Sequence, residues 1–150
     1  MNARAVRTAV VVVDLFAGVS AVVGAIGLVA GFMQIPLSVL SGTPFADFTI
    51  PALLLGLVVG GSALAAALVA LLRPRLTLLK QWRLEPLATA VAGAIMVGWM
   101  TVEIAMIGLG AWVQVAYFIV GLLMIGLAVL LQKAEWRQAN MRLRQYAHAV

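Results

Sequence analysis

Between Pro86 and Gln132 the chain has a single charged side chain, Glu103, in the run GWMTVEIAMIG. A carboxylate in so apolar a setting can take up a proton, a cation or the polar end of a ligand. It can also fix one helix against another through hydrogen bonds. On a helix, Trp99, Met100, Met106 and Ile107 share its face at spacings of three and four, and Gln114 and Tyr117 follow in the next segment. Glu103, Trp99, Met100, Met106, Gln114 and Tyr117 are therefore the candidate ligand-binding set. A second carboxylate, Asp14, stands in AVVVVDLFAGVSAVVGAIGLVAG. Other chemistries drop out. The chain has no cysteine, which removes disulfides, thiolate metal sites and dithiol redox chemistry. Its one histidine, His148, lies in the tail, so histidine-ligated haem or metal within the apolar segments is excluded. No Gly-rich phosphate loop follows a strand, and no Ser-His-Asp set can form in the apolar runs. No metal, no cofactor and no enzymatic activity are expected. A quinone or lipid pocket stays open, because it needs only apolar and aromatic walls with a polar contact or two.

What must position these residues is a set of membrane-crossing helices. The 150 residues are 65% hydrophobic and 10% charged, with a mean hydropathy of +1.13, against about 25% charged residues in soluble domains. A transmembrane helix needs about 20 mostly apolar residues to cross roughly 30 Å of hydrocarbon. Two runs qualify outright, 9–31 and 51–72. The stretch from Pro86 to Leu131 is too long for one crossing. It divides at GLGAW, Gly108 to Trp112, where two close glycines suit a tight hairpin, giving spans 86–108 and 113–131. Pro51 and Pro86 open their spans, since a proline in the first helical turn forfeits no intrahelical N–H. The predicted fold is all-α and a single domain: a polytopic membrane protein, a four-helix transmembrane bundle. An outer segment 32–50 lies at the interface, an inner loop 73–85 joins the second and third spans, and the tail 132–150 forms an amphipathic cytoplasmic helix.

Lys and Arg near the membrane ends set the orientation. Arg4 and Arg7 precede the first span. Arg73, Arg75, Lys80 and Arg83 join the second and third, and Lys133, Arg137, Arg142 and Arg144 follow the fourth, which accounts for all 10. Every one falls on the same side, so both termini are expected in the cytoplasm. A cleaved signal peptide is the rival reading of MNARAVRTAVVVV, but the apolar run is as long as a full span and holds Asp14. The net charge of +5 thus points to the anionic lipids of the inner leaflet and not to nucleic acid. In the tail, Trp136, Ala139, Leu143, Ala147 and Val150 recur every three to four residues beside Arg137, Arg142 and Arg144. That pattern suits a basic amphipathic helix lying on such a surface.

The same one-sided charge leaves Glu103 without a cation. Counted from Pro86 it lies roughly 25 Å along its helix, near the outer edge of the hydrocarbon. Its partners are expected among Gln114, Tyr117, Thr101, Gln34 and backbone carbonyls. Asp14, two turns inside the first span on the cytoplasmic side, is expected to pair with a cation such as Arg7 or to be hydrated. A coupling carboxylate, as in small multidrug transporters whose first helix carries an acid, is the other reading. The outer segment is either a connector capping helix ends or a lid over an outward-opening cavity, with Asp47 a solvated charge. Small residues recur every four positions, at Gly27 and Gly31, Gly56 and Gly60, Ser62, Ala66 and Ala70, and Ala90, Ala94 and Gly98. Such stripes let helices approach closely in lipid, within the chain or in a homo-oligomer or larger membrane complex.

The pattern PLSVLSGTPFADFTIPALLLG, GWMTVEIAMIG and WVQVAYFIVGLL resembles a group of uncharacterised bacterial four-helix integral membrane proteins, over Pro36 to Leu127. The resemblance implies a bacterial plasma membrane and no assigned activity. The layout is also similar to DoxX-type small membrane proteins, some linked to quinone-coupled oxidations. Those often carry an acidic residue in the second span, where 51–72 has none, so no redox role carries over. The leading expectation is a non-catalytic accessory protein working through lipid-embedded helix contacts. The alternative is a small transporter or binder of a hydrophobic ligand, lipid or quinone, with Glu103 at an outward-facing cavity.

Overall fold

The computed structural model describes residues 3–72 and 84–147, with side chains described as far as Met141. Arg73, Arg75, Lys80 and Arg83 lie outside the described residues, as do the side chains of Arg142 and Arg144. Four helices make up the rest: α1 (Ala3–Val29), α2 (Thr49–Leu72), α3 (Leu84–Ile107) and α4 (Trp112–Ala147). All four are long and apolar enough to cross a membrane, and the protein is an all-α transmembrane bundle. α1 packs on α2 and α4, and α3 likewise packs on α2 and α4, so α1 and α3 occupy opposite corners. Arg4, Arg7, Glu85 and Lys133 mark one end of the bundle, the basic end. The other carries the 35–48 segment and the α3–α4 hairpin and has no Lys or Arg among the described residues.

The helix ends follow local chemistry. Pro51 and Pro86 are the third residues of α2 and α3, within the first turn where no intrahelical N–H is lost. Gly108 ends α3 with φ +80°, a left-handed conformation that a side chain would strain. Its N–H donates to the Ile104 carbonyl at 2.9 Å. Before α2, Leu37–Leu40 forms a single 3₁₀ turn with Leu40 buried. The Thr43 hydroxyl donates to the Leu40 carbonyl at 2.8 Å. The Thr49 N–H donates to Asp47 Oδ1 at 2.8 Å, and that bond holds the Asp47 carboxyl below the usual carboxylate range.

α4 differs from expectation. It is a single helix of 36 residues, about 54 Å long at 1.5 Å per residue, where the hydrocarbon is only about 30 Å thick. No Gly or Pro interrupts the chain between Leu131 and Ala147, so the backbone ladder runs on. The tail extends α4 and does not form a separate surface helix. Trp112 and Trp136 are both strongly exposed and stand about 36 Å apart along the axis. That is the separation of the two interfacial belts where tryptophan collects.

The interior is built from small side chains. Ala17, Ala21, Val59, Ala63, Ala66, Ala92, Met96 and Met124 form the main core, and Val6, Val10 and Leu131 a second one toward the basic end. α2 widens into a π-helical stretch at Leu54–Gly60, with the Gly61 N–H donating five residues back to the Gly56 carbonyl. Two glycine pairs set the closest approaches. A Cβ at Gly18 would lie 2.6 Å from Leu64 Cγ, and one at Gly60 3.2 Å from the Gly18 carbonyl oxygen. Across α3 and α4, a Cβ at Gly93 would lie 2.8 Å from the Gly121 carbonyl oxygen. The four-residue stripes had singled out neither Gly18, Gly93 nor Gly121. Two glycines they did include serve otherwise. Gly31 has φ +72° beyond the end of α1, and Gly98 faces open space. Gly93→Ala is therefore expected to cost about 1–3 kcal/mol through overpacking. Gly98→Ala, in a helix with room for the methyl, should be neutral or stabilising by up to about 1 kcal/mol. Denaturation midpoints in SDS titrations from mild detergent measure both.

Candidate functional site

At the end without Lys or Arg, a cavity of about 170 Å³ lies between α1, α2, α3 and the 35–48 segment. α3 contributes Trp99, Val102, Glu103, Met106 and Ile107, residues that the 3.6-residue period places on one stripe. Leu28 closes it from α1, and Pro51, Leu54 and Leu55 from α2, the last two from the π-helical stretch. Ile35, Val39, Leu40, Thr43, Phe45 and Phe48 cover it from the outer segment. An apolar cavity of about 150 Å³ can hold benzene, whereas sites for whole drug-sized ligands begin at about 300 Å³. The volume here equals that of a ring or a short branched group.

Glu103 is half-buried on the cavity wall. Of the partners expected for it, Gln114 is the one it has: Gln114 Nε2 donates to Glu103 Oε1 at 3.2 Å. Gln114 is itself buried and uses its whole amide. Nε2 also donates to the Gly108 carbonyl at 3.3 Å, and Oε1 accepts from the Gly110 and Ala111 N–H groups at 3.0 and 3.3 Å. One side chain thus closes the α3–α4 hairpin and holds one oxygen of Glu103. No bond within the described residues engages the other oxygen. Two other expected partners are engaged elsewhere: the Thr101 hydroxyl donates to the Val97 carbonyl at 2.8 Å, and Tyr117 packs against the alanine core. The candidate set therefore splits. Trp99, Glu103 and Met106 line the cavity, and Gln114 positions Glu103. Met100, one residue and so about 100° round the helix from Trp99, turns into the bundle and is 5% exposed. The Trp99 indole N–H is buried without an acceptor.

Asp14 departs from expectation. It is fully buried and has no ion pair among the described residues. Thr89 Oγ1 of α3 donates to Asp14 Oδ2 at 2.8 Å, and Oδ1 has no donor. The cation expected for it is taken. Two turns nearer the basic end, Arg7 Nε donates to both oxygens of Glu85, at 2.9 and 3.2 Å, and an Arg7 terminal nitrogen donates to Glu135 Oε1 at 2.9 Å. Glu85 and Glu135 are 1% and 8% exposed. Sequence reasoning missed both acids. The available signal was their placement, each at the edge of a span within a flank that is otherwise basic. Among the described residues no three Cys, His, Asp or Glu side chains converge on a metal position.

Two expectations test these arrangements. Arg7→Met takes one guanidinium away from two buried carboxylates and should cost up to about 3 kcal/mol. Arg7→Lys should recover only part of it, since an ammonium cannot bridge both acids as a planar fork does. Gln114→Leu should cost about 1–3 kcal/mol and loosen the hairpin, seen as faster amide exchange at Gly110 and Ala111. Compared with known proteins, the chain matches no family model, no curated protein and no solved structure.

Proposed function

We propose that the protein is a non-catalytic binder of a small lipid-soluble molecule, the binding element of a carrier or sensor in a bacterial plasma membrane. The observation that carries this reading is the cavity beside Glu103, apolar and aromatic in lining, with one carboxylate already held in position by Gln114. Such a combination orients a ligand through one polar contact and holds the rest by shape. The one-sided Lys and Arg distribution supports cytoplasmic termini, which puts the cavity in the outer leaflet and Lys133, Trp136 and Arg137 at the anionic inner headgroups. Within the covering segment Thr43 and Asp47 fix local turns by side-chain to backbone bonds.

A second reading, an accessory protein acting through lateral helix contacts, is supported by a different observation. Gly61, Gly98 and Gly126 have open space beyond them, where a partner helix or a second copy can approach. A stoichiometric protein retained through mild-detergent purification, and lost in Gly98→Leu, would favour it.

The binding reading is tested with bromobenzene, a quencher of cavity size. In the full chain with Trp82, Trp112 and Trp136 replaced by phenylalanine, it is expected to quench Trp99 emission saturably in nanodiscs. Val39→Phe, which adds a ring inside the cavity, should remove the saturable part and leave helical circular dichroism unchanged. Quenching that stays linear in both proteins, as from probe dissolved in lipid, would rule the site out.

A further inference from the structure

The charge of the ligand can be read from the surroundings of the cavity, a step that rests on the binding reading above. Glu103 is the one charged side chain on the wall. Gln114 engages one of its oxygens, and the other is left for a ligand. Among the described residues no cation is within reach: Arg4, Arg7, Lys133 and Arg137 lie toward the opposite end of the helices. Asp47 adds a second acid to this end. Among the described residues this end is therefore acidic with no base to balance it, and it attracts positive charge.

Three classes of ligand can be weighed against that wall. An anion would be repelled by Glu103. A bare metal ion needs several oxygen ligands, and the wall supplies one carboxylate. The Thr43 hydroxyl is no help, since it already donates to the Leu40 carbonyl and accepts from the Phe45 N–H. An organic cation meets every feature at once. Its charge faces the carboxylate, its apolar body fills the apolar volume, and Phe45, Phe48 and Trp99 offer the aromatic faces that favour cations.

We infer that the cavity selects organic cations, an ammonium group at Glu103 with a ring or branched group seated against Phe45, Phe48 and Trp99. The volume of about 170 Å³ sets the seated part at about the size of benzene, and any longer tail lies in the bilayer.

Benzylammonium and benzyl alcohol present the same ring with and without the charge. Each is titrated against the full chain carrying Trp99 as its only tryptophan, in phosphatidylcholine nanodiscs so that the lipid adds no net charge. Benzylammonium is expected to bind at least tenfold tighter. Glu103→Gln should weaken it at least tenfold and change benzyl alcohol less than twofold. Equal affinity, or preference for the alcohol, overturns the cation selectivity while leaving the cavity a binding site. An unchanged benzylammonium affinity in Glu103→Gln overturns it as well. If neither compound binds saturably and bromobenzene also fails, both readings fall. The comparison of the two compounds uses unsubstituted Glu103, so it decides the question even if Glu103→Gln does not fold.

Discussion

Helices surrounded by lipid gain little from burying apolar side chains against each other, because the lipid tails are equally apolar. What holds this bundle is the closeness of backbone approach, and the rest of the structure depends on it. Ala17, Ala21, Ala63, Ala66 and Ala92 make a core of minimal volume. The Gly18–Gly60 and Gly93–Gly121 approaches leave no room for a methyl group. Each hairpin, α1 with α2 and α3 with α4, has one such seam. The larger apolar residues point outward by necessity, and the strongly exposed Val, Leu and Ile side chains of every helix are the lipid-facing surface.

Against that background the few polar side chains stand out by how they are held. Glu103 is neither adrift in hydrocarbon nor neutralised by a basic partner. A glutamine fixed by three backbone groups of the hairpin turns its remaining amide hydrogen to it. This arrangement costs little extra chain, because Gln114 is needed to close the 108–111 turn in any case. It also determines direction: with one oxygen engaged from the α4 side, the carboxyl group is set on the α3 stripe that forms the cavity wall. The hairpin and the site are one construction.

Much of this was legible in the sequence, and the illegible part has a physical reason. Apolar runs, bordering prolines and one-sided cations report on the solvent each residue meets, which is a local property, so four spans could be read directly. Glu103 and Gln114 were legible as a pair because the hairpin makes them near neighbours in sequence. Met100 and Tyr117 were not separable from them, since helical spacing gives a face but not which neighbour that face meets. The partner of Asp14 was hidden for the same reason. Its partner Thr89 is 75 positions away, and the cation two turns along its own helix belongs to Glu85, 78 positions away. The length of α4 was missed because a change from apolar to basic composition marks where lipid stops, while the helix stops only where its backbone ladder is broken.

The two ends of the bundle therefore do different work. At the basic end, Arg7 joins α1 to α3 and α4 through Glu85 and Glu135, and one level further in the Asp14–Thr89 bond again links α1 to α3. Since α1 and α3 are opposite corners, these bonds run through the centre of the bundle. No such diagonal polar bond links α1 and α3 at the other end among the described residues. There the centre is left to Leu28, Leu55 and Trp99, with a folded segment of loop above them. A bundle tied at one end can keep a gap at the other without losing its register. That separation lets so small a protein hold a preformed cavity: the end that carries the described cations carries the cross-links, and the other end carries Glu103 beside the space.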